Sequence, residues 1–142
     1  MLYILIRKLI NGEICLKNNC FKCCVKTEML LSLNDIEKIK KLGFKEKFFL
    51  INEGGWLKLK NKHGKCVFLK NGKCVIYEFK PLGCQLYPLI YDKNEGPIID
   101  KLCPFNKKFK ASELEMKILI KFIEALKKER INRLTLYNSH CF

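Results

Sequence analysis

Eight of the nine cysteines in this 142-residue chain fall into two dense groups. Cys15, Cys20, Cys23 and Cys24 form the first, in the run C-L-K-N-N-C-F-K-C-C. Cys66, Cys74, Cys84 and Cys103 form the second. Packing alone does not require vicinal or near-vicinal thiols, so any fold of this chain must accommodate sulfur chemistry. Soft thiolates at short spacings suit Zn²⁺ or iron–sulfur clusters. Disulfides are the competing use, and the rest of the sequence weighs against them.

The length fits one domain, residues 1–142, with a hydrophobic core of its own. Such a chain does not need disulfide staples merely to fold. The apolar start M-L-Y-I-L-I-R-K-L-I lacks a basic stretch before it and a small-residue cleavage site after it, unlike a secretory signal. No run reaches the roughly 18 apolar residues of a membrane helix. The expectation is a cytoplasmic protein without membrane contact, where thiols stay reduced and clustered cysteines bind metal. Hyperthermophile cytosols, which can be disulfide-rich, are the exception that a lysine- and isoleucine-rich chain brings to mind.

The formal charge is +14. Eight thiolates holding two dications would subtract four and leave the protein basic. Arg7, Arg130 and Arg133 are the only arginines; the other basic residues are lysines. Specific readers of bases and phosphates favour the arginine fork. Lysine point charges fit solubility or a weak electrostatic attraction to nucleic acid better.

No low-complexity linker and no repeat of fixed period stands out. Residues 1–6 read as an edge strand, followed by an Asn11-Gly12 turn. Ser32 with Asp35, then Leu33, Ile36, Ile39 and Leu42 at helical spacing and Gly43 after them, predict a helix over about 33–42. Phe48–Ile51 and Trp56–Leu59 read as strands around Gly54-Gly55. Pro81 opens a short helical turn carrying Cys84. Residues 89–91 and 97–99 suit a hairpin around Asn94-Glu95-Gly96. Ser112 with Glu115 is a capping box, and Leu119, Phe122, Ile123 and Leu126 repeat at i, i+3, i+4, i+7, predicting a helix over about 112–134. Its apolar stripe reads as core rather than as a partner-binding face.

Residues 65–77 look like one hairpin around Asn71-Gly72. A two-residue loop pairs Leu69 with Cys74 and sends Cys66 and Cys74 to opposite faces. A three-residue loop pairs Phe68 with Cys74 and puts both sulfurs on one face. If this hairpin presents both cysteines directly to one site, the three-residue form is required.

Cys20-x2-Cys23 has the spacing of a metal knuckle. Neighbouring side chains diverge, so Cys23 and Cys24 can face two sites, or two metals of one cluster. A vicinal disulfide is the strained alternative. His63, three residues before Cys66, has the spacing of a ligand pair but sits in a Lys-Gly turn that favours exposure. His140 and Cys141 stand at a terminus. Tyr77, Tyr87 and Pro88 suit packing around sulfur or in a plain core. No cysteine has a histidine base and carboxylate in recognisable order, so no catalytic residue is assigned. Nor does a Gly-rich strand-to-helix turn mark a nucleotide site.

With C-F-K-C-C at 20–24, C-V-F-L-K-N-G-K-C-V-I-Y-E-F-K-P-L-G-C-Q-L-Y-P at 66–88 and Cys103 beyond, the chain resembles the YkgJ-like cysteine-cluster family of zinc- or iron-chelating domains. The resemblance covers about residues 15–105. It implies metal binding without settling the metal. A related cluster in bacterial flagellin lysine N-methylases suggests a redox or methyl-transfer context. Three positions depart from the family pattern: four residues rather than two separate Cys15 from Cys20, Lys80 replaces an arginine before proline, and Gln85 replaces an arginine after cysteine. An activity that needs an arginine fork is not inherited on these residues.

The sequence therefore predicts a small α+β domain of short strands and hairpins, with one short helix after the first cysteine group and a long C-terminal one. The expected property is chelation of zinc or iron, an iron–sulfur cluster included, in one or two centres. The expected ligands are Cys15, Cys20, Cys23, Cys24, Cys66, Cys74, Cys84 and Cys103. A four-and-four partition by sequence group is simplest; an interleaved one, bridged by Cys23 and Cys24, is equally compatible. The roles in competition are a redox or accessory module, a structural zinc domain that binds a protein partner, and a zinc-stabilised nucleic-acid binder.

Overall fold

A computed structural model describes residues 13–139. The strand expected at 1–6, the Asn11-Gly12 turn, His140 and Cys141 lie outside the described residues. The described architecture is α+β: five α-helices and four separate two-stranded antiparallel ladders.

Helix α1 (Glu13–Lys17) and a 3-10 turn (Lys22–Cys24) carry the first cysteine group. Helix α2 (Leu33–Lys41) begins at the expected capping box. The Ser32 side chain accepts from the Asp35 amide, and the Asp35 carboxylate accepts from the Ser32 amide. Asp35 has a second task, because its other oxygen accepts from the Leu82 amide at 3.1 Å. One buried carboxylate thus caps both α2 and helix α4 (Leu82–Leu86), which carries Cys84.

Helix α3 (Glu46–Phe49) takes Phe48 and Phe49 out of the strand expected to start there. Phe49 is thereby fully buried, in contact with the Phe68 ring. Strands β1 (Leu50–Glu53) and β2 (Trp56–Leu59) follow, with Gly54-Gly55 at their turn. Two short hairpins come next: β3 (Asn61–Lys62) with β4 (Lys65–Cys66), and β5 (Leu69–Lys70) with β6 (Lys73–Cys74). After α4, β7 (Leu89–Asp92) pairs with β8 (Gly96–Ile99), and helix α5 (Glu113–Ser139) closes the fold. The Ser112–Glu115 box caps α5, which runs five residues past its expected end.

Two apolar clusters form. One gathers Leu31, Ile36, Ile39, Phe49, Leu57, Leu59, Phe68 and Ile76, with Cys66 among them and Cys24, Cys74 and Cys84 against it. The other packs Leu119, Phe122 and Leu126 of α5 on Leu86 and Leu89. The far end of α5 is fastened to the first cluster's elements. Arg130 donates to the Gly54 carbonyl at 2.9 Å and stacks 4.9 Å from the Trp56 ring centre, Arg133 donates to Gly55, and Glu129 accepts from the Leu33 amide. Gly55 admits this approach because a Cβ there would press on Leu134 and Arg130.

Candidate metal centre

The two-residue excess between Cys15 and Cys20 is absorbed by a helix ending. The Cys20 amide bonds to the Cys15 carbonyl (2.8 Å), the Asn19 amide to Leu16 (3.2 Å), and Asn19 is left-handed at φ 50°. This is a Schellman closure, in which the residue after the left-handed one meets the residue five before it, normally through an apolar contact. Here the two meeting positions are Cys15 and Cys20. The 3-10 turn then lifts Cys23 to the surface while Cys24 packs on the first cluster. The vicinal pair is not disulfide-bonded; all eight of these cysteines are free thiols.

The second group rests on a short local repeat, although the chain as a whole has none of fixed period. Lys62-His63-Gly64-Lys65-Cys66-Val67 is followed eight residues on by Lys70-Asn71-Gly72-Lys73-Cys74-Val75. Both turns place two consecutive residues at positive φ, 54° and 76° in the first and 52° and 75° in the second. That is the type I′ geometry that matches strand twist. The register pairs Leu69 with Cys74, so the loop has two residues and the three-residue form is overturned. Cys66 does not share that ladder at all. It ends the preceding hairpin, opposite Asn61. The two sulfurs become neighbours because two equivalent hairpins follow one another, not because one face carries both.

Each repeat ends in the same local device. The Cys66 sulfur takes the Phe68 amide, Cys74 takes that of Ile76, and Cys103 takes that of Phe105. An N–H two residues on, aimed at sulfur, favours the thiolate and is a lever on thiolate metal centres. Burial acts against it and wins, so all three thiols are raised.

Electrostatic contacts sort the cysteines. Cys15 is raised by burial and then by Cys20, Cys23 and Cys103. Cys103 feels Cys20 and Cys23. Cys84, partly buried against the first cluster, is pushed well up by burial and then by Cys23, Cys66 and Cys74. Cys24 feels Cys23, Cys66 and Cys84. Two sets emerge: Cys15, Cys20 and Cys103 in one, and Cys24, Cys66, Cys74 and Cys84 in the other. Cys23 acts on both. The Cys24 S–H donates to Cys23, which lowers Cys23 to about 7 and raises Cys24. Cys103 thus interacts with the first sequence group, while Cys24 interacts with Cys23 of its own group and with Cys66 and Cys84 of the second.

Lys80 is the cation common to both sets, favouring the thiolates of Cys15, Cys23, Cys74 and Cys84. Its ammonium lies 4.2 Å from the Tyr77 ring centre, and its carbonyl accepts from the Gln85 side chain at 2.8 Å. Two departures from the family pattern are therefore joined, with Gln85 pinning the backbone of Lys80. On the other side, the Tyr87 hydroxyl donates to Asp100 at 2.8 Å, and Asp100 shapes the turn that carries Cys103. Burial, then this bond, raises the Tyr87 phenol.

The donor chemistry fits a soft ion: eight unbridged thiols, three of them receiving the amide two residues on, and one shared lysine. Tetrahedral ligation needs four sulfurs about 2.3 Å from one ion. As the side chains stand, no three His, Cys, Asp or Glu groups among the described residues are spaced to hold one. His63 is exposed at its hairpin tip and takes no part in the contacts among thiols. The signals for Lys80 and the repeat were in the sequence, as a lysine at an arginine position and as K-x-G-K-C-V written twice. No helix is long and apolar enough to cross a membrane, among the described residues.

Residues 14–104 match the CxxCxxCC family, described as "putative zinc- or iron-chelating domain", and the chain belongs to that family. No curated protein and no solved structure matches.

Proposed function

From membership of this cysteine-cluster family, we propose that the chain holds zinc or iron in two interleaved thiolate centres. One is formed by Cys24, Cys66, Cys74 and Cys84, the other by Cys15, Cys20, Cys23 and Cys103. The observation that carries the chelation reading is the family match over residues 14–104, and the influence of the thiols on one another supports the partition. A bound ion would supply Lewis acidity if zinc, or an electron-transfer centre if iron with sulfide. The chain's own part is to keep eight thiols unbridged, to aim the amides of Phe68, Ile76 and Phe105 at three of them, and to hold Lys80 beside both sets. Loading requires the thiols to give up their protons and their sulfurs to draw inward, so affinity falls as pH falls. Cys23 is exposed, and the hydrogen bond from Cys24 favours its thiolate, so it is a ligand open to an incoming ion.

The second reading is a structural zinc domain within a basic binding module, which the +14 charge favours. Metal and acid-labile sulfide analysis of protein purified without oxygen decides between them. Iron with sulfide and a visible chromophore supports a redox centre. Zinc without sulfide supports the structural reading. Absence of both, with no free thiols, would overturn chelation.

A further inference from the structure

The two repeated hairpins break a rule of sheet stability. Their registers set Lys62 opposite Lys65 and Lys70 opposite Lys73. Like charges directly opposed on a ladder destabilise it, and these ladders are two residue pairs long, with little else to offset the cost. All four lysines are exposed, and the ion pairs among the described residues engage Lys40 and Lys58 instead.

The charge along the cysteine-bearing stretches of the sequence is one-sided. Stretches 15–26, 65–80 and 101–110 hold eleven lysines and one acidic residue, Glu78, which leaves seventeen basic and thirteen acidic residues elsewhere. Most of the formal charge is therefore concentrated beside the cysteines. Thiolates with bound dications would cancel only part of it.

Exposed apolar side chains interrupt this basic surface. Phe21 lies over the second hairpin's turn, about where a Cβ on Gly72 would touch its ring at 3.6 Å. Val25 bridges to Lys65, and the Lys26 amide bonds to Gly64 at the first turn (2.7 Å). Val75 follows Cys74. Phe21, Val25 and Val75 are 37%, 39% and 52% exposed. The hairpin tips and the first cysteine segment are thus one continuous surface.

We infer that the twin lysine tips, with Phe21, Val25 and Val75, form a docking surface for an acidic protein partner. Apolar contacts ringed by charge are the anatomy of a protein interface, with the charges steering the encounter. A single-stranded nucleic acid would call for stacking aromatics and arginines. Here two of the three apolar residues are aliphatic, and Arg130 and Arg133 are engaged at the Gly54-Gly55 turn. The inference stands independently of which metal the thiols hold.

The test uses the full metal-loaded chain and three probes of equal charge: a peptide alternating glutamate and leucine, an all-glutamate peptide, and an oligouridylate. Lys62→Glu with Lys70→Glu turns both opposed lysine pairs into lysine–glutamate pairs. The expected result is a thermal midpoint that holds or rises, while affinity for the glutamate–leucine peptide falls about tenfold or more. Lys117→Glu with Lys121→Glu, on the exposed side of α5, makes the same change in net charge and should cost less than about threefold. Equal losses in both double variants would reduce the effect to net charge and overturn the inference. So would tightest binding by the oligouridylate, or by the all-glutamate peptide. Loss of metal from the hairpin variant alongside its peptide affinity would also overturn it, since the tips would then be acting through the thiols.

Discussion

The half of the molecule that carries the thiols and the half closed by α5 are held together differently. In the thiol half, β3 to β6 are two residues each, α1 is five, and much of the backbone runs through turns at positive φ. In the other half a 27-residue helix lays Leu119, Phe122 and Leu126 on Leu86 and Leu89. Ladders this short and separate are marginal by themselves. The thiol half therefore has most to gain from an ion that crosslinks its segments, while the helical half is sustained by apolar burial. Asp35, Glu129, Arg130 and Arg133 are the seams between them.

The sharpest way to break this contrast is to strip the metal. Binding to the folded state alone adds about 4 kcal/mol when free ion stands a thousandfold above its dissociation constant. Chelation should collapse amide protection in residues 15–26 and 60–79 first, with α5 exchanging slowly throughout. Simultaneous loss in α5 would mean one cooperative unit and no contrast. Leu126→Ala is the complementary perturbation. Its side chain is buried in the second cluster, so a loss of about 2–5 kcal/mol is expected by denaturant unfolding, with metal stoichiometry unchanged. A variant that also fails to load would place the helix within the site's own support.

The smallest effect is a pH dependence confined to the metal-free chain. Burial raises the Cys66, Cys74 and Cys84 thiols, so the folded state holds these protons more tightly than the unfolded one. Their contribution is complete below the unfolded thiol range, about 8.5, and fades as pH rises through it toward the higher folded values. Metal-free protein should lose thermal stability under alkali. Loaded protein, whose thiols are already ionised, should lose it on the acid side. The same profile for both forms would count against thiolate ligation.

Local elements were largely legible in the residues. Ser32/Asp35 and Ser112/Glu115 announce their helices because a cap is satisfied within three residues. Asn71-Gly72 announces its turn because both positions must take positive φ. The errors arose where distant packing outvoted local preference. Phe48 and Phe49 look like strand residues, yet the pull of Phe49 into contact with Phe68 makes them helical. The hairpin expected over 65–77 became two, because Lys62-His63-Gly64-Lys65 forms an equivalent turn just before it.

The candidate site divides along the same line. Its residue types and its soft-donor chemistry follow from the sequence, whereas the helix ending that brings Cys15 to Cys20 does not. Nor does the choice of which cysteines face one another across the fold. Cys24 reaches the second group because it packs on the first cluster beside Cys66 and Cys84, and Cys103 reaches the first because the Asp100 turn carries it there. Those approaches depend on how Leu31, Phe49 and Phe68 pack beneath the hairpins, and on Asp35 joining α2 to the helix of Cys84. Spacing along a chain sets only local geometry; the convergence of segments tens of residues apart is decided by the core that brings them together.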